Sequence, residues 1–459
     1  MKHLLSIAAA ALILASCTQP ETVMDAPHAF HPEWSKNANM YEVNVRQYTP
    51  EGTFAAFQAH LPRLKEMGVD ILWFMPLQPI GEKNRKGELG SYYSIKDYTA
   101  INPEFGTEDD FRSLVDQAHE MGFHVIIDWV PNHTAWDHPW MTESPEFYYT
   151  DPETGQISNG RDDHNNATDW TDVAELDYSN PAMMEGQRQA MIWWLDHFHI
   201  DGFRVDMAGG QTQEYWTETI HHLRGHSPEI FLLAESEYFY LHDCRFDATY
   251  GWEFHHLLNN VAGKEADVVT LDTYLTKQKK NFPSDGYRLY FIDNHDENSW
   301  NGTVEKRIGQ NAHAAFVLCA TMTNGMPLIY SGQEVGLNKS LRFFERDTID
   351  WSGPSQADFY SKALSLKSTQ AALANGDWGG VQTRITTQNP HVYGFMRTKG
   401  ENHVVVFVNF SKEEATIDYS GAHDEDYINW FSGEEMDLEE AGQITLPAHG
   451  YLVLTHGDC

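Results

Sequence analysis

The sequence predicts an α/β protein: a (β/α)8 TIM barrel with an inserted loop domain after its third strand and a C-terminal antiparallel β-domain. Three observations predict it. Short apolar runs of strand-like composition alternate with amphipathic helical stretches up to about residue 369, the pattern of a parallel sheet with crossover helices. One long interval after the third run breaks the alternation. From about Gln370 the helical period disappears and closely spaced strands follow.

Taken in order, the first run is Tyr41-Glu42-Val43-Asn44-Val45, followed by a helix from Phe54 to Met67. Ile71 to Phe74 is the second strand, with its helix at Glu108 to Met121, and Val125 to Ile127 is the third. Further runs fall at Gly202 to Val205, Ile230 to Leu233, Leu289 to Ile292 and Leu328 to Tyr330, with a weak one near Phe246 to Tyr250. Eight such strands close most economically into a barrel, expected from residues 33–133 and 181–369. The interval 134–180 is rich in Asp, Asn and Gly and lacks periodicity. Its tryptophans Trp136, Trp140 and Trp170, with Trp129 just before it, argue for an ordered inserted domain. Beyond it, His391 to Met396, Val404 to Phe410, Ile444 to Leu446 and Tyr451 to Leu454 read as strands of a β-domain over 370–459.

Composition narrows the partners. The 459 residues hold 31 Lys plus Arg against 67 Asp plus Glu, a net charge of −36, which excludes a basic nucleic-acid surface and favours a neutral or cationic ligand. Cys17, Cys244, Cys319 and Cys459 are too scattered for a disulfide framework or a zinc site, and Cys244 and Cys319 are expected to be buried thiols. The chain starts Met1-Lys2-His3 and continues with an apolar run, Leu4 to Leu14, that is too short to span a bilayer. The stretch Leu14-Ala15-Ser16-Cys17 resembles the bacterial lipobox. That resemblance implies a signal peptide over 1–16, lipidation of Cys17 and a tether over 17–32, with membrane contact through the lipid alone; Thr18 after the cysteine favours the outer membrane. An ordinary secreted protein with a coincidental cysteine is the alternative.

In a barrel of this kind the chemistry sits where the strands end. The third strand ends in Asp128-Trp129-Val130-Pro131-Asn132-His133, the fourth in Arg204-Val205-Asp206, the fifth in Ala234-Glu235 and the seventh in Asp293-Asn294-His295-Asp296. Period-two alternation puts Arg204 and Asp206 on one side of their strand and turns Phe203 and Val205 to the helices. The neighbouring guanidinium is expected to lower the pKa of Asp206 and keep it ionised, as a nucleophile requires. Glu235 emerges from an apolar run that would raise its pKa, which suits a proton donor. Two carboxyls in opposite protonation states around one bond are what glycoside hydrolysis requires. Asp296, His133 and His295 add groups able to bind sugar hydroxyls and a positively charged transition state. Singly, each is more often a helix cap, a turn residue or a structural histidine; together they occupy four strand ends in register.

These segments resemble the four signature regions of the α-amylase family of glycoside hydrolases, in the same order and spacing: Asp128 to His133, Gly202 to Asp206, Glu235, and Phe291 to Asp296. Gly68 to Leu77, Tyr93 to Tyr98, Ile101 to Thr107 and Glu175-Leu176-Asp177-Tyr178 resemble supporting segments, so the likeness runs from about Asn37 to Leu454. It implies Asp206 as nucleophile, Glu235 as acid/base and Asp296 as transition-state stabiliser. Around the sugar it implies Tyr93 as stacking platform, His133, Arg204 and His295 as hydrogen-bonding partners, and Asp128 as a structural partner. It implies no organic cofactor; Asn132, with Asp162 or Asp163, is the candidate calcium site.

The substrate implied is an α-glucan, cleaved at α-1,4 bonds in starch or maltooligosaccharides. A 4-α-glucanotransferase or an α-1,6-acting glucosidase would carry the same motifs. An inactive carbohydrate-binding relative would be expected to lack one of the three carboxylates, and a metal-dependent barrel enzyme would need a ligand cluster that the motifs do not leave over. Where many relatives carry a Lys-His pair after the nucleophile, this chain has Met207-Ala208-Gly209-Gly210, and Ser236-Glu237-Tyr238 follows Glu235. The glycines are expected to leave the departing-sugar side open, with transfer to other sugars minor.

Overall fold

A computed structural model describes residues 31–264 and 266–457. The leader 1–16, Cys17 and the tether up to residue 30 lie outside the described residues. Among the described residues, eight parallel strands close a barrel: β1 (Met40–Val43), β2 (Ile71–Phe74), β3 (His124–Trp129), β4 (Gly202–Val205), β5 (Phe231–Ala234), β6 (Ala248–Tyr250), β7 (Tyr287–Phe291) and β8 (Gly325–Tyr330). Each pairs with its neighbour in sequence, and β8 returns to β1 with Leu328 opposite Met40. Alternation gives most strands two apolar duties, β4 being the exception with Gly202 and Arg204 on its inward side. Met40, Trp73, Ile126, Leu233, Leu289 and Leu328 fill the interior, while Tyr41, Leu72, Ile127, Phe203 and Leu232 pack outward against the helices.

Local chemistry sets where the helices begin. The helix Glu108–Glu120 starts at a capping box in which Thr107 and Asp110 bond each other's backbone N–H, and Pro181–Phe198 starts on the Asn180 side chain with proline in its first turn. Gly202 is required by close approach: a Cβ there would lie 1.9 Å from the Phe231 carbonyl oxygen, so only glycine lets β4 meet β5.

Three expectations shift. The first strand stops at Val43, because Asn44 turns the chain and Val45 opens a one-turn helix, Val45–Tyr48. The helix expected over Phe54 to Met67 is two, Phe54–Gln58 and Leu61–Met67, broken at Ala59-His60 just before Pro62. The C-terminal domain contains four strands that apolar runs did not reveal.

That domain is antiparallel: β9 (Val381–Ile385), β10 (Val392–Lys399), β11 (Asn402–Asn409), β12 (Ala415–Ser420), β13 (Glu425–Asn429), β14 (Glu435–Leu438), β15 (Ala441–Leu446) and β16 (Tyr451–His456). One sheet runs β9-β10-β11-β16-β13-β14, and β12 pairs with β15. Val405, Phe407 and Leu454 face Ile417 and Leu446 in a separate core, whereas Phe395, Val404, Val406 and Val453 join the barrel's outer core. The second sheet face therefore holds the domain against the barrel. Cys244 and Cys319 are buried free thiols, and among the described residues no helix is long and apolar enough to cross a membrane.

Candidate active site

The ladder between β3, β4 and β5 sets the centre of the site. Asp128 is paired with Arg204 across β3 and β4, and Val205 with Ala234 across β4 and β5. Beyond those pairs the backbone N–H of Asp206 still donates to Trp129 O at 2.8 Å and that of Glu235 to Val205 O at 2.9 Å. Both carboxyls thus emerge one residue past their strands, held by the sheet itself. Met207 then turns with φ +46°, a left-handed conformation costing a non-glycine residue about 1 kcal/mol or more. The turn points its N–H at Glu235 Oε2, 3.1 Å away.

Arg204 is the hub. Its buried guanidinium packs 5.0 Å from the Trp73 ring centroid and 5.4 Å from that of Tyr250. Nη1 donates to Asp128 Oδ1 at 2.9 Å and Asp206 Oδ1 at 3.0 Å. Nη2 lies 2.8 Å from Glu235 Oε2 but off the hydrogen-bond line, making an ion pair without a directed bond. One cation therefore serves three carboxyls. The expected lowering of the Asp206 pKa is corrected on this count: burial and the Glu235 carboxyl push Asp206 well above the ordinary carboxylate range, and Arg204 offsets only part. Asp128 is likewise raised by burial, to about 6, against Arg204 and His295.

A second chain of bonds fixes the sugar-binding side. His295 Nδ1 lies 2.5 Å from Glu42 Oε1, and its Nε2 lies 2.8 Å from the Tyr93 hydroxyl and 3.4 Å from Asp296 Oδ2. The Tyr93 hydroxyl in turn donates to Asp128 Oδ2 at 3.0 Å. Burial pushes the His295 pKa down, but the Asp296 and Glu42 carboxylates outweigh it and raise the ring to about 9. His295 is therefore an imidazolium donating from both nitrogens, and the Tyr93 hydroxyl is left one direction in which to donate. Because the folded pKa is raised, this charge stabilises the fold fully below about pH 6.5 and the contribution fades as pH rises through 9. His133 is the opposite case, held neutral by burial with its pKa down to about 4.

Glu42 was not among the residues the motifs singled out. A lone carboxylate inside an apolar strand, on the inward parity of Met40, was its only signal. Glu42→Gln should keep the shape but remove the charge, so the titration midpoint of the His295 ring, followed by NMR, is expected to fall from about 9. An unchanged midpoint would show that Glu42 does not hold the proton there.

These groups line a cleft of about 940 Å3 that includes Tyr93, His133, Asp206, Glu235, His295 and Asp296. Its walls are aromatic: Trp170 from the insertion, Tyr238, Trp252, Trp300 and Phe343. Phe343 is nearly parallel to Tyr93, with centroids 6.2 Å apart, and comes from the irregular stretch after β8, where no periodicity marked it. The expected opening beside Gly209 is also corrected. The Tyr238 ring sits where a Cβ on Gly209 would be, 2.7 Å from that position, and its hydroxyl meets His164 Nδ1 of the insertion at 3.2 Å. The glycine makes room for an aromatic wall.

The insertion is tied down by an antiparallel pair, His133–Ala135 with Val173–Glu175, and by a small core of Tyr148, Ala174, Leu176 and Met183. At its base Asn132 Nδ2 donates to Arg161 O at 2.9 Å and to Glu175 Oε2 at 3.1 Å, and Arg161 N–H donates to the same carboxylate oxygen at 2.8 Å. Asp162 is engaged in its own loop, accepting from Asn166 N–H at 2.7 Å, and Asp163 lines the cleft. As arranged, this corner is closed by its own hydrogen bonds and does not present the roughly six to eight oxygens that calcium takes. An ion there would require the Asn132 amide to turn its oxygen inward.

Residues 27–353 match the family model described as Alpha amylase, catalytic domain, and residues 383–453 match Maltogenic Amylase, C-terminal domain. The chain is 26% identical over 411 residues to Alpha-amylase MalA of Haloarcula japonica, covering 84% of this chain and 57% of that protein, so it spans little more than half of that relative. It is 23% identical over 460 residues to Alpha-amylase 3 of Dictyoglomus thermophilum, covering 86% and 88%. Among solved structures, the noncanonic maltogenic alpha-amylase AmyB from Thermotoga neapolitana is similar with a TM-score of 0.83 and 25% identity, over 92% of this chain and 99% of that one. An alpha-amylase from Lactobacillus plantarum follows at 0.82 and 28%, over 92% and 100%.

Proposed function

The chain belongs to the α-amylase family of glycoside hydrolases, and from that premise we propose that it is a retaining α-glucan hydrolase cleaving α-1,4 glucosidic bonds in starch or maltooligosaccharides. The observation that carries the reading is the pairing of Asp206 and Glu235 on one guanidinium at adjacent strand ends, on the floor of an aromatic-walled cleft. In this reading Asp206 attacks the anomeric carbon while Glu235 gives its proton to the departing oxygen, and a covalent glycosyl-enzyme forms. Glu235, now ionised, takes a proton from water, whose oxygen displaces Asp206 and restores the α configuration. Asp296 faces the developing positive charge. Tyr93 carries a sugar face and His133 and His295 meet its hydroxyls, while Arg204, with no exposed surface, does not reach the sugar and holds Asp206 and Glu235 beneath it.

Transfer to a sugar hydroxyl in place of water is the second reading, favoured by one observation. The Tyr238 ring over Gly209 gives the departing side an aromatic surface on which an acceptor sugar can rest. An early time course on maltotetraose, panose and isomaltose, read by proton NMR and chromatography, separates the readings. The α anomer first, with products shorter than maltotetraose, is expected. The β anomer first would remove the covalent mechanism. Early dominance of longer products would favour the transferase, and faster turnover of panose or isomaltose the α-1,6 specificity.

A further inference from the structure

We propose that the C-terminal domain holds a divalent transition-metal ion of the imidazole-preferring class, zinc foremost, on His403, His423, His456 and Glu425. The proposal stands apart from the catalytic reading, since none of these residues lines the cleft. Strand register assembles them. His403 near the start of β11 is directly opposite His456 at the end of β16, Glu425 opens β13 on the other side of β16, and His423 lies just before it in the β12–β13 connection.

The donor atoms converge. His403 Nδ1 is 2.6 Å from Glu425 Oε2 and 3.4 Å from His423 Nδ1. His423 Nδ1 is 4.0 Å from Glu425 Oε1, and His456 Nε2 is 4.0 Å from Glu425 Oε2. Tetrahedral zinc with bonds of about 2.0–2.1 Å sets its donors roughly 3.3 Å apart. The His403, His423 and Glu425 donors all lie within 4.8 Å of one another and straddle that value, while His456, outside that set, would turn its Nε2 inward beside Glu425 to complete the four.

The outward nitrogens supply the second observation. His403 Nε2 lies 3.2 Å from the Gly400 carbonyl oxygen, and His456 Nδ1 lies 2.7 Å from the Asp426 carbonyl oxygen. A carbonyl only accepts, so each of these nitrogens carries the ring's proton. In the neutral ring the other nitrogen then bears a lone pair, and both lone pairs face the Glu425 carboxylate. Two lone pairs turned on an anion repel unless a cation lies between them, either an added proton or a metal. Backbone carbonyls that fix the tautomer of ligating histidines are the usual outer shell of a zinc site. His403 is buried while His423 is 44% exposed, which leaves the ion a path from solvent. Binding would displace any proton held between His403 and Glu425, and would clip β11, β13 and β16 together.

The test is equilibrium dialysis of the metal-stripped full chain against zinc buffered by a weak chelator. It is repeated on His423→Ala, on Glu425→Gln and on Asp206→Asn, the last as a control for zinc held by the cleft acids. One zinc per chain is expected in the unsubstituted protein and in Asp206→Asn, with affinity at least tenfold weaker in the other two. Cobalt should bind with the visible spectrum of a tetrahedral nitrogen and oxygen site. Because His423 is exposed, His423→Ala should retain starch hydrolysis, showing that it folds. Absence of a stoichiometric zinc, or a zinc that persists unweakened in both His423→Ala and Glu425→Gln, overturns the proposal in favour of an imidazolium–carboxylate cluster.

Discussion

Asp206→Asn is expected to lower kcat on maltooligosaccharides by about 10^4-fold or more while changing substrate binding only severalfold. Asparagine preserves the shape and the hydrogen bond from Arg204 Nη1, 3.0 Å from Asp206 Oδ1, but its amide cannot form the glycosyl ester. The effect should be confined to chemistry, because Tyr93 and His295 are placed by Glu42 and Asp128 and do not depend on Asp206. Stability should hold or rise. Three carboxyls share one guanidinium in the native protein, and the substitution removes one of them from a buried, mutually repelling set. Single-turnover kinetics with calorimetric binding of maltotetraose measures both expectations. A loss of less than a hundredfold would mean that another group attacks the sugar.

The residues that sequence motifs could mark are those whose chemistry is tied to a strand end. Asp128, Arg204, Asp206 and Glu235 follow apolar runs directly, and parity alone separates Arg204 from Phe203 and Val205. The barrel was legible for the same reason: seven of its strands are short, mostly apolar runs buried on both faces. β6 was weak because it is only three residues long, and β13 and β14 were hidden because they alternate exposed acids with single buried residues such as Tyr427 and Leu438. The rest of the site was out of reach for another reason. Tyr238, Phe343 and Trp300 lie on irregular segments, and their places depend on where distant elements leave room, as Gly209 does for Tyr238. The Asp206 pKa failed in the same way. Adjacency to Arg204 was visible in the sequence, but the burial that raises Asp206 most, and the two further carboxyls from β5 and β3 that compete for that cation, come from the tertiary fold.

Glu235→Gln separates proton donation from every other contribution. Glutamine can still accept from Met207 N–H, now 3.1 Å from Glu235 Oε2, and can still lie beside Arg204, so the cleft should keep its form. What it cannot do is protonate a departing sugar hydroxyl, a step worth about 10^2- to 10^4-fold, or roughly 3–5 kcal/mol of barrier. Turnover of maltotetraose is therefore expected to fall by that amount. An aryl maltoside with an acidic phenol leaves as its anion and needs little protonation, so the burst of phenol that reports formation of the glycosyl-enzyme should survive largely intact. Breakdown of the intermediate still lacks its base, so the burst should be followed by a slow steady state, and azide, a nucleophile that needs no deprotonation, should speed that second phase. Stopped-flow release of the phenol with and without azide reads both steps. Equal loss on maltotetraose and on the aryl maltoside burst, with no response to azide, would take the acid/base role away from Glu235 and leave it as a partner of Arg204 only.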